Sequence, residues 1–257
     1  MDEKLEILVS TVKQAASAVQ RVREQGIGGR YRAKGDLLTR ADEASHALIE
    51  AKLKAHFPTV PLVLEEQDNV AVPEGVFIVG DELDGTIPFA RGMKEWGISL
   101  AYVEHVPTRG VIYLPEWDIL VSALKGKGCW INGQRCLISH RRALEDAVWG
   151  TELNPFLTDE HRKRYIDRLS KKTHSTRCLA CASAGIVELL RGRTDFYVNC
   201  RGGKIWDFAA GALAVEEAGG AARRINGALL SWDTIAMDIV LASHVSLLEG
   251  VLHVTSE

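Results

Sequence analysis

The sequence predicts an α/β sandwich, and two features of its apolar pattern carry the prediction. Near the N-terminus and again after about residue 145 apolar side chains recur at the helical period, whereas residues 60–125 contain short strand-like runs. The chain has 257 residues, 46% of them hydrophobic and 25% charged, which is enough for a large core. Since no linker is visible, we expect a single domain over 1–257 in two packed halves, about 1–145 and 146–257.

The first half predicts two helices followed by strands. Residues 4–25 carry an apolar stripe from Leu5 to Val22, and Gly26 follows it. A second helix is predicted after Thr39, because Thr39 and Asp42 have the spacing of a capping box. Strands are predicted at 61–64, 76–79, 98–103, 110–114 and 119–124, the later ones joined by short turns as in an antiparallel meander.

The second half predicts alternating strands and helices. We expect helices at about 159–171, 183–191, 207–218 and 245–252, and glycines follow two of them. Strands are expected at 147–149, 195–199 and 236–242.

Composition argues against several functional classes. A net charge of −3 without a long basic run predicts no nucleic-acid polymer as partner. The absence of a bilayer-length apolar segment and of a signal-peptide core predicts no membrane association and a cytoplasmic protein. The five cysteines are scattered, so buried reduced thiols are favoured over a redox or zinc role for Cys178 and Cys181.

The most informative segment follows the predicted strand 76–79. Asp81 and Asp84 stand three residues apart where the strand is expected to end in a tight turn, and such carboxylates can converge on a hard cation. Gly85 lets the backbone approach a ligand closely, and Thr86 offers a hydroxyl and a backbone N–H. This combination suits metal-assisted chemistry on a phosphate, although the same residue types also build ordinary turns.

Further acids lie at the boundaries of other elements. Glu65 follows the predicted strand 61–64, and Asp207 lies in the first turn of a predicted helix. Each alone fits a solvated turn or a helix cap. If they converge with Asp81 and Asp84, however, their mutual repulsion requires one or two divalent cations, and oxygen ligands favour Mg²⁺ over Zn²⁺. Two such cations can clamp a phosphate and activate a water.

Several segments in this order resemble the magnesium-dependent inositol monophosphatase superfamily, which includes bisphosphate nucleotidases and fructose-1,6-bisphosphatases. The resemblance covers nearly the whole chain and is carried by residues 36–42, 64–66, 81–86 and 206–211, the last continuing into 217–220. It implies a layered α-β-α-β-α sandwich of the sugar-phosphatase type, two or three Mg²⁺ ions, a small phosphorylated substrate and a homodimer.

The resemblance also implies residue roles. The metal ligands would be Glu65, Asp81, the carbonyl of Leu83, Asp84 and Asp207. Thr86, paired with Asp42, would orient and help deprotonate the attacking water, although Asp42 could serve only as a helix cap. The substrate side would comprise Asp84, the amides of Gly85 and Thr86, and Ala182 in the loop 180–183.

Two departures from the family pattern bear on specificity. Glu82 stands where the family commonly has proline, and it could bind a cation weakly or point to solvent. Arg201 and Lys204 lie where inositol-type enzymes usually carry a glutamate for substrate hydroxyls. They suit a second anionic group, as in the dual inositol and fructose-bisphosphate phosphatases, or belong to the plain surface.

The sequence therefore predicts a Mg²⁺-dependent phosphomonoesterase that hydrolyses a small phosphorylated polyol or sugar by a metal-activated water. Inositol monophosphate and fructose 1,6-bisphosphate are the substrates it suggests. One alternative is a 3′,5′-bisphosphate nucleotidase, because residues 89–92 resemble a segment of those enzymes. Another is a catalytically silent metal-binding scaffold, but the Asp42 and Thr86 pair argues against it because a scaffold does not need that pair.

Overall fold

The computed structural model of the chain describes residues 2–33, 36–68, 70–138 and 143–256. Its first half contains, in order, α1 (Glu3–Gln25), β1 (Gly29–Ala33), β2 (Asp36–Thr39), α2 (Arg40–His56), β3 (Leu62–Leu64), β4 (Val76–Asp84), α3 (Thr86–Ala90), β5 (Gly97–Glu104), β6 (Val106–Leu114), β7 (Ile119–Leu124), β8 (Gly128–Ile131) and β9 (Gln134–Cys136). Short 3₁₀-helices lie at Pro115–Trp117 and Leu144–Asp146.

The second half begins with β10 (Val148–Thr151) and a continuous helical segment. That segment consists of α4 (Asp159–His161), a π-helix (Arg162–Asp167) and α5 (Arg168–Ser170). It is followed by β11 (Ser175–Cys178), α6 (Ala182–Leu190), β12 (Phe196–Asn199), α7 (Ile205–Glu217), β13 (Ala221–Arg224), β14 (Ile239–Ala242) and α8 (Val245–Ser256).

These elements stack in five layers. Helices α1 and α2 cover one face of a seven-stranded sheet of order β3-β4-β5-β6-β7-β8-β9, where Leu8 and Ile49 pack on Leu100. Helices α6 and α7 fill the space between this sheet and a five-stranded sheet of order β11-β10-β12-β14-β13. Helix α8 and the segment α4–α5 cover the outer face of the second sheet. The predicted α-β-α-β-α sandwich is confirmed.

Each sheet lies on one side of residue 145, as the sequence suggests, and α6 and α7 bury apolar side chains against both sheets. That the halves form one domain stays a prediction. Within the described ranges, no helix is both long and apolar enough to cross a membrane.

The predicted end of α1 at Gly26 and the predicted capping box of α2 are confirmed, and Asp2, which was not predicted to be a cap, caps the start of α1. The Asp2 carboxylate accepts from the Leu5 amide at 3.0 Å, and Gly26 ends α1 with a φ of 96°. At α2, the Thr39 side chain accepts from the Ala41 amide at 3.1 Å while Asp42 accepts from the Thr39 amide at 2.7 Å. The capping box therefore fixes the entry of α2 and buries Asp42 at the same time.

One prediction about the acidic segment is wrong. Strand β4 does not end before Asp81 but continues through Asp84, because β5 runs alongside it and pairs Asp81 with Ser99 and Asp84 with Gly97. The register shifts between these two pairs, which marks a bulge. The turn begins only at Gly85, so the two aspartates project from a strand.

Other differences concern short elements and the cysteines. The strands β1, β2, β8, β9, β11 and β13 were not expected, and α7 begins at Ile205, before Asp207. The segment predicted as one charged helix contains a π-helix at Arg162–Asp167. All five cysteines are free, but Cys178 is exposed, so the prediction of buried thiols is wrong for that residue.

Candidate metal and phosphate site

The predicted acidic residues meet at one edge of the seven-stranded sheet. Strands β3 and β4 run parallel with Leu64 opposite Gly80, so Glu65 and Asp81 follow at the same level. Asp207 approaches from the first turn of α7. A cleft of about 280 Å³ opens beside them, and its lining includes Glu65, Asp84, Gly85, Thr86, Ala182 and Asp207 but not the buried Asp81.

A close helix-to-sheet contact lies next to the turn of α7 that carries Asp207. One turn along α7, the backbone of Ala210 lies against Gly110 of β6, and a Cβ on Gly110 would stand 3.0 Å from the Cα and the carbonyl oxygen of Ala210. Only glycine permits this approach without a shift of the helix. Gly110 therefore lets α7 pack closely on β6, and Asp207 lies one turn before this contact.

The carboxyl groups in the cleft act strongly on one another. Burial, followed by the charge of Asp84, raises the pKa of Asp207 to about 8. Burial and the neighbouring carboxylates likewise raise the pKa of Glu65 and of Asp81 well above the usual range. Such groups are held close together at the cost of electrostatic repulsion, which a bound divalent cation would relieve.

Backbone amides orient three of these carboxylates. The Ala182 amide donates to Asp84 Oδ1 at 3.2 Å and the Ser183 amide donates to Asp84 Oδ2, so Asp84 caps the start of α6. Asp81 accepts from the Leu83 amide at 2.9 Å, and Asp207 accepts from the Lys204 amide at 2.8 Å. Ala182, which was predicted to lie beside the substrate, thus contacts Asp84 through its backbone amide.

The donor set fits Mg²⁺. Among the described residues, no three His, Cys, Asp or Glu side chains already stand together as a finished metal site. Each carboxylate oxygen nevertheless has lone pairs beyond the one an amide uses, so the oxygens of Asp81, Asp84 and Asp207 keep capacity for a cation. An all-oxygen set of this kind suits Mg²⁺ rather than Zn²⁺.

Thr86 and Asp42 meet as predicted. The Thr86 hydroxyl lies 3.0 Å from Asp42 Oδ1 and 3.0 Å from the carbonyl oxygen of Leu83. Asp42 is only 2% exposed, and burial raises the pKa of its carboxyl group, while hydrogen bonds from Thr39 and Thr86 oppose that rise. Asp42 is therefore both a helix cap, through one oxygen, and the partner of Thr86, through the other.

The backbone turns into the cleft at Gly85. Its φ is 85°, in the left-handed region, and a Cβ there would lie 2.5 Å from the carbonyl oxygen of Glu95 and 3.2 Å from Cys181 Sγ. A larger residue cannot occupy this position without moving those groups. The glycine therefore allows Asp84 and Thr86 to face the same cleft from either side of the turn.

Neither expectation for Glu82 is met. Its side chain is fully buried, and strand alternation directs it away from the cleft toward α2. Glu82 Oε1 lies 2.6 Å from His46 Nδ1, and Oε2 accepts from the Glu65 amide at 3.0 Å. The hydrogen bond to Glu82 is the main reason why the pKa of His46 is raised.

Arg201 and Lys204 lie beside the cleft but do not line it. At this point the wall is formed by Gly202 and Gly203. Arg201 is exposed, and its backbone carbonyl accepts a hydrogen bond from Asn154 Nδ2 at 2.7 Å. Burial raises the pKa of Asp238, and the charges of Arg201 and Lys204 oppose that rise.

A different arginine lines the cleft. Arg32, which the sequence did not single out for the site, forms an ion pair with Glu66. Burial raises the pKa of Glu66 to about 7 even though Arg32 opposes the rise. Arg32 is therefore the one lysine or arginine among the described residues that line the cleft.

Further polar residues of the cleft were missed, among them Glu152 and Asn199. Glu152 follows β10 and accepts from the Tyr197 hydroxyl at 3.3 Å, and burial together with Asp84 raises its pKa to about 8. Asn199 ends β12, and its Oδ1 is buried without a hydrogen-bond partner among the described atoms. Asn199 ends a predicted strand, but Glu152 comes three positions after the predicted strand 147–149, and neither has a spacing that marks it as a site residue.

The site and fold can now be compared with known proteins. The chain matches the inositol monophosphatase family over residues 1–257. It is 33% identical to a fructose-1,6-bisphosphatase/inositol-1-monophosphatase of Thermotoga maritima over 199 residues, which is 75% of this chain and 73% of that protein. It is 28% identical to the Nus factor SuhB of Salmonella typhimurium over 227 residues, 86% and 84% of the two chains.

A solved structure of an IMPase/NADP phosphatase complexed with Mg²⁺ and phosphate superposes with a TM-score of 0.85 at 21% identity, covering 97% of this chain and 93% of that one. This likeness shows the shared fold. Together with the match over all 257 residues, it leads to one conclusion. The chain belongs to the inositol monophosphatase family, a family of phosphatases.

Proposed function

We propose that this protein is a Mg²⁺-dependent phosphomonoesterase that hydrolyses a small phosphorylated polyol or sugar, such as inositol monophosphate. The observation that carries the proposal is the Thr86 hydroxyl, held 3.0 Å from the buried Asp42 carboxylate at the edge of an acidic cleft. A hydroxyl paired with a carboxylate can pass on a proton, and the cleft supplies the oxygen ligands that phosphate chemistry with Mg²⁺ requires.

The residues proposed to hold two or three Mg²⁺ ions are Glu65, Asp81, the carbonyl of Leu83, Asp84 and Asp207. When bound, the cations would neutralise the phosphate and make a water more acidic. The raised pKa of Asp207, about 8, supports this assignment, since burial and the charge of Asp84 outweigh the opposing effect of Lys204 and would be relieved by a bound cation. The Mg²⁺ and phosphate bound by the related IMPase/NADP phosphatase also support it.

The chain's own residues would move the proton in the hydrolytic step. Asp42 accepts the hydroxyl proton of Thr86 while the Thr86 oxygen accepts a proton from the attacking water. The water oxygen bonds to phosphorus, the bond from phosphorus to the ester oxygen breaks, and the leaving oxygen takes a proton from solvent. Because burial raises the pKa of Asp42, this carboxylate is a stronger base than an exposed aspartate.

The size and polarity of the cleft favour a single polyol or sugar ring. Glu152 and Asn199 present oxygen atoms that can accept hydrogen bonds from substrate hydroxyls. The amides of Gly85 and Thr86 are proposed to hold the phosphate, beside Asp84 and Ala182.

A second candidate is a 3′,5′-bisphosphate nucleotidase. The specific observation is an apolar rim: Phe156 and Leu153 line the cleft and are 53% and 49% exposed, so a planar base could lie against them. Arg201 and Lys204, which the sequence suggested as a second phosphate site for this activity and for fructose 1,6-bisphosphate, lie outside the cleft lining, so their role is left to the kinetic comparison below.

A phosphate-release assay under Mg²⁺ tests the function. The substrates are inositol monophosphate, fructose 1,6-bisphosphate and adenosine 3′,5′-bisphosphate. We expect the highest kcat/KM on the polyol or sugar phosphate. Preference for the nucleotide would favour the second candidate, and no release from any substrate would favour the metal-binding scaffold.

The homodimer, the cytoplasmic location and the lack of a nucleic-acid partner stay predictions. Light scattering coupled to size-exclusion chromatography would measure the oligomeric state. Because one relative is named a Nus factor, binding of RNA to this protein should be measured as well.

A further inference from the structure

Glu82 is a buried acid whose two oxygens are both engaged. It is 0% exposed in β4 between Asp81 and Leu83, and it faces α2 rather than the cleft. One oxygen lies 2.6 Å from His46 Nδ1 and the other accepts from the Glu65 amide at 3.0 Å. A buried carboxylate is costly unless its partners are well placed, so these contacts need an explanation.

The contacts of Glu82 link α2 to the residue after β3. Helix α2 supplies Asp42 at its start, and one turn later Ser45 and His46 reach β4: Ser45 Oγ donates to the Glu82 carbonyl at 2.7 Å. The Glu65 amide also lies 3.3 Å from the Gly80 carbonyl, a longer contact than the one to Glu82. The Glu82 side chain is therefore the closer partner of that amide.

We propose that Glu82, held by His46, is a positioning residue that fixes the backbone of Glu65 so that the Glu65 carboxylate stays turned toward Asp81 and Asp207. The proposal rests on the cation site described above. Its physical basis is that a hydrogen bond from a backbone amide to a carboxylate is charge-assisted and stronger than one to a neutral acceptor. Glu82 thus acts on the cleft from the opposite face of the sheet, through Glu65 rather than by contact with substrate or cation.

The test compares Mg²⁺ affinity, measured by isothermal titration calorimetry, in the full chain and in variants. Glu82→Ala removes both contacts, whereas Glu82→Gln keeps an oxygen for the Glu65 amide and an NH₂ group for His46 Nδ1. Ser45→Ala is the matched control, because it removes a buried hydrogen bond between α2 and β4 without touching Glu65. Melting temperatures in chelator report how much each change disturbs the fold.

We expect Glu82→Ala to lower Mg²⁺ affinity about 10- to 100-fold, the range found when groups that orient metal ligands are removed. Glu82→Gln should restore part of the affinity, because it keeps the hydrogen bond to the Glu65 amide but not the charge that strengthens it. Ser45→Ala should lower the melting temperature in chelator and leave Mg²⁺ affinity close to that of the wild type. His46→Ala should lower the affinity less than Glu82→Ala does.

The proposal is overturned if Glu82→Ala binds Mg²⁺ like the wild type, or if Ser45→Ala loses as much affinity. If Glu82→Ala does not fold, wild-type affinity in His46→Ala overturns it instead. Glu65→Gln separates this inference from the cation site itself. Loss of Mg²⁺ binding in Glu65→Gln without loss in Glu82→Ala rejects only the inference, whereas a wild-type protein that binds no Mg²⁺ rejects both.

Discussion

Thr86 Oγ1 lies 3.0 Å from Asp42 Oδ1, and this contact joins the turn after β4 to the first turn of α2. The other oxygen of Asp42 accepts from the Thr39 amide at 2.7 Å and holds the carboxylate in place. A helix-capping box thereby orients the carboxylate that would receive the proton. The same three residues serve local folding and the proposed chemistry.

Thr86→Ala should lower kcat about 10²- to 10⁴-fold, the usual contribution of a general acid or base, with a smaller change in KM. The reason is that the hydroxyl acts on the attacking water and not on the bound substrate. Thr86→Ser keeps a hydroxyl and is the control. Steady-state kinetics under saturating Mg²⁺ measures both, and an unchanged kcat in Thr86→Ala would assign Thr86 to the turn alone.

The stability of the metal-free protein should fall as the pH rises from about 4 to 8. The pKa of Asp207 is raised to about 8 in the folded chain, so between its ordinary value and pH 8 the folded state holds a proton that the unfolded chain releases. The raised pKa values of Glu65 and Asp81 act in the same direction. Melting curves in chelator across this pH range measure the effect.

Saturating Mg²⁺ favours the ionised carboxylates, so the difference in melting temperature between the Mg²⁺-bound and the metal-free protein should widen with pH. Asp207→Asn should flatten the pH dependence of the metal-free form. A melting temperature in chelator that stays constant or rises over this range would show that these carboxyl groups are not held protonated.

Gly85→Ala should destabilise the protein more than Gly126→Ala, a matched control. Both glycines have positive φ, 85° and 72°, so each substitution incurs the left-handed backbone cost of about 1–2 kcal/mol. Only at Gly85 would the added Cβ also meet backbone, 2.5 Å from the Glu95 carbonyl, whereas nothing lies within 4 Å of it at Gly126. Denaturant unfolding compares the two, and equal losses would mean that the turn can move away from Glu95.

Arg32→Ala should raise KM more than Arg201→Ala, because Arg32 lines the cleft and Arg201 does not. If Arg201 binds a second phosphate, its loss would lower kcat/KM for fructose 1,6-bisphosphate about ten- to a hundredfold and spare inositol monophosphate. The position of Arg201 outside the cleft wall leads us to expect a small effect on both substrates. Parallel kinetics on the two substrates decide between these outcomes.

The layered arrangement was predicted from the family resemblance, while regular apolar stripes and capping signals predicted the helices. The short edge strands, such as β9 and β11, lack such patterns, since three or four partly exposed residues do not show an alternation. The continuation of β4 through Asp84 could not be predicted from the sequence for another reason. Its pairing with β5 outweighed the turn preference of Asp and Gly, and that pairing is a tertiary contact.

The candidate site was predicted where acids follow strands or begin helices. The environment of Glu82 could not be predicted, because it depends on which face of β4 meets α2 and on a histidine 36 positions earlier in the chain. Asn199 and Glu152 were passed over because a single polar residue after a strand has no distinctive spacing. They line the same cleft as Asp84 because the second sheet brings them there, and the sequence does not show that contact.

The most direct test of the proposed function measures phosphate release from inositol monophosphate by the wild type and by Asp84→Asn, each with Mg²⁺ and with excess chelator. Asn keeps the shape of the side chain and an oxygen for an α6 amide, while it removes the charge that a cation needs. The proposed mechanism predicts Mg²⁺-dependent release by the wild type that chelator abolishes, and near-complete loss in Asp84→Asn while that variant remains folded in chelator. Release that persists in chelator, or near-wild-type turnover by Asp84→Asn, would contradict it.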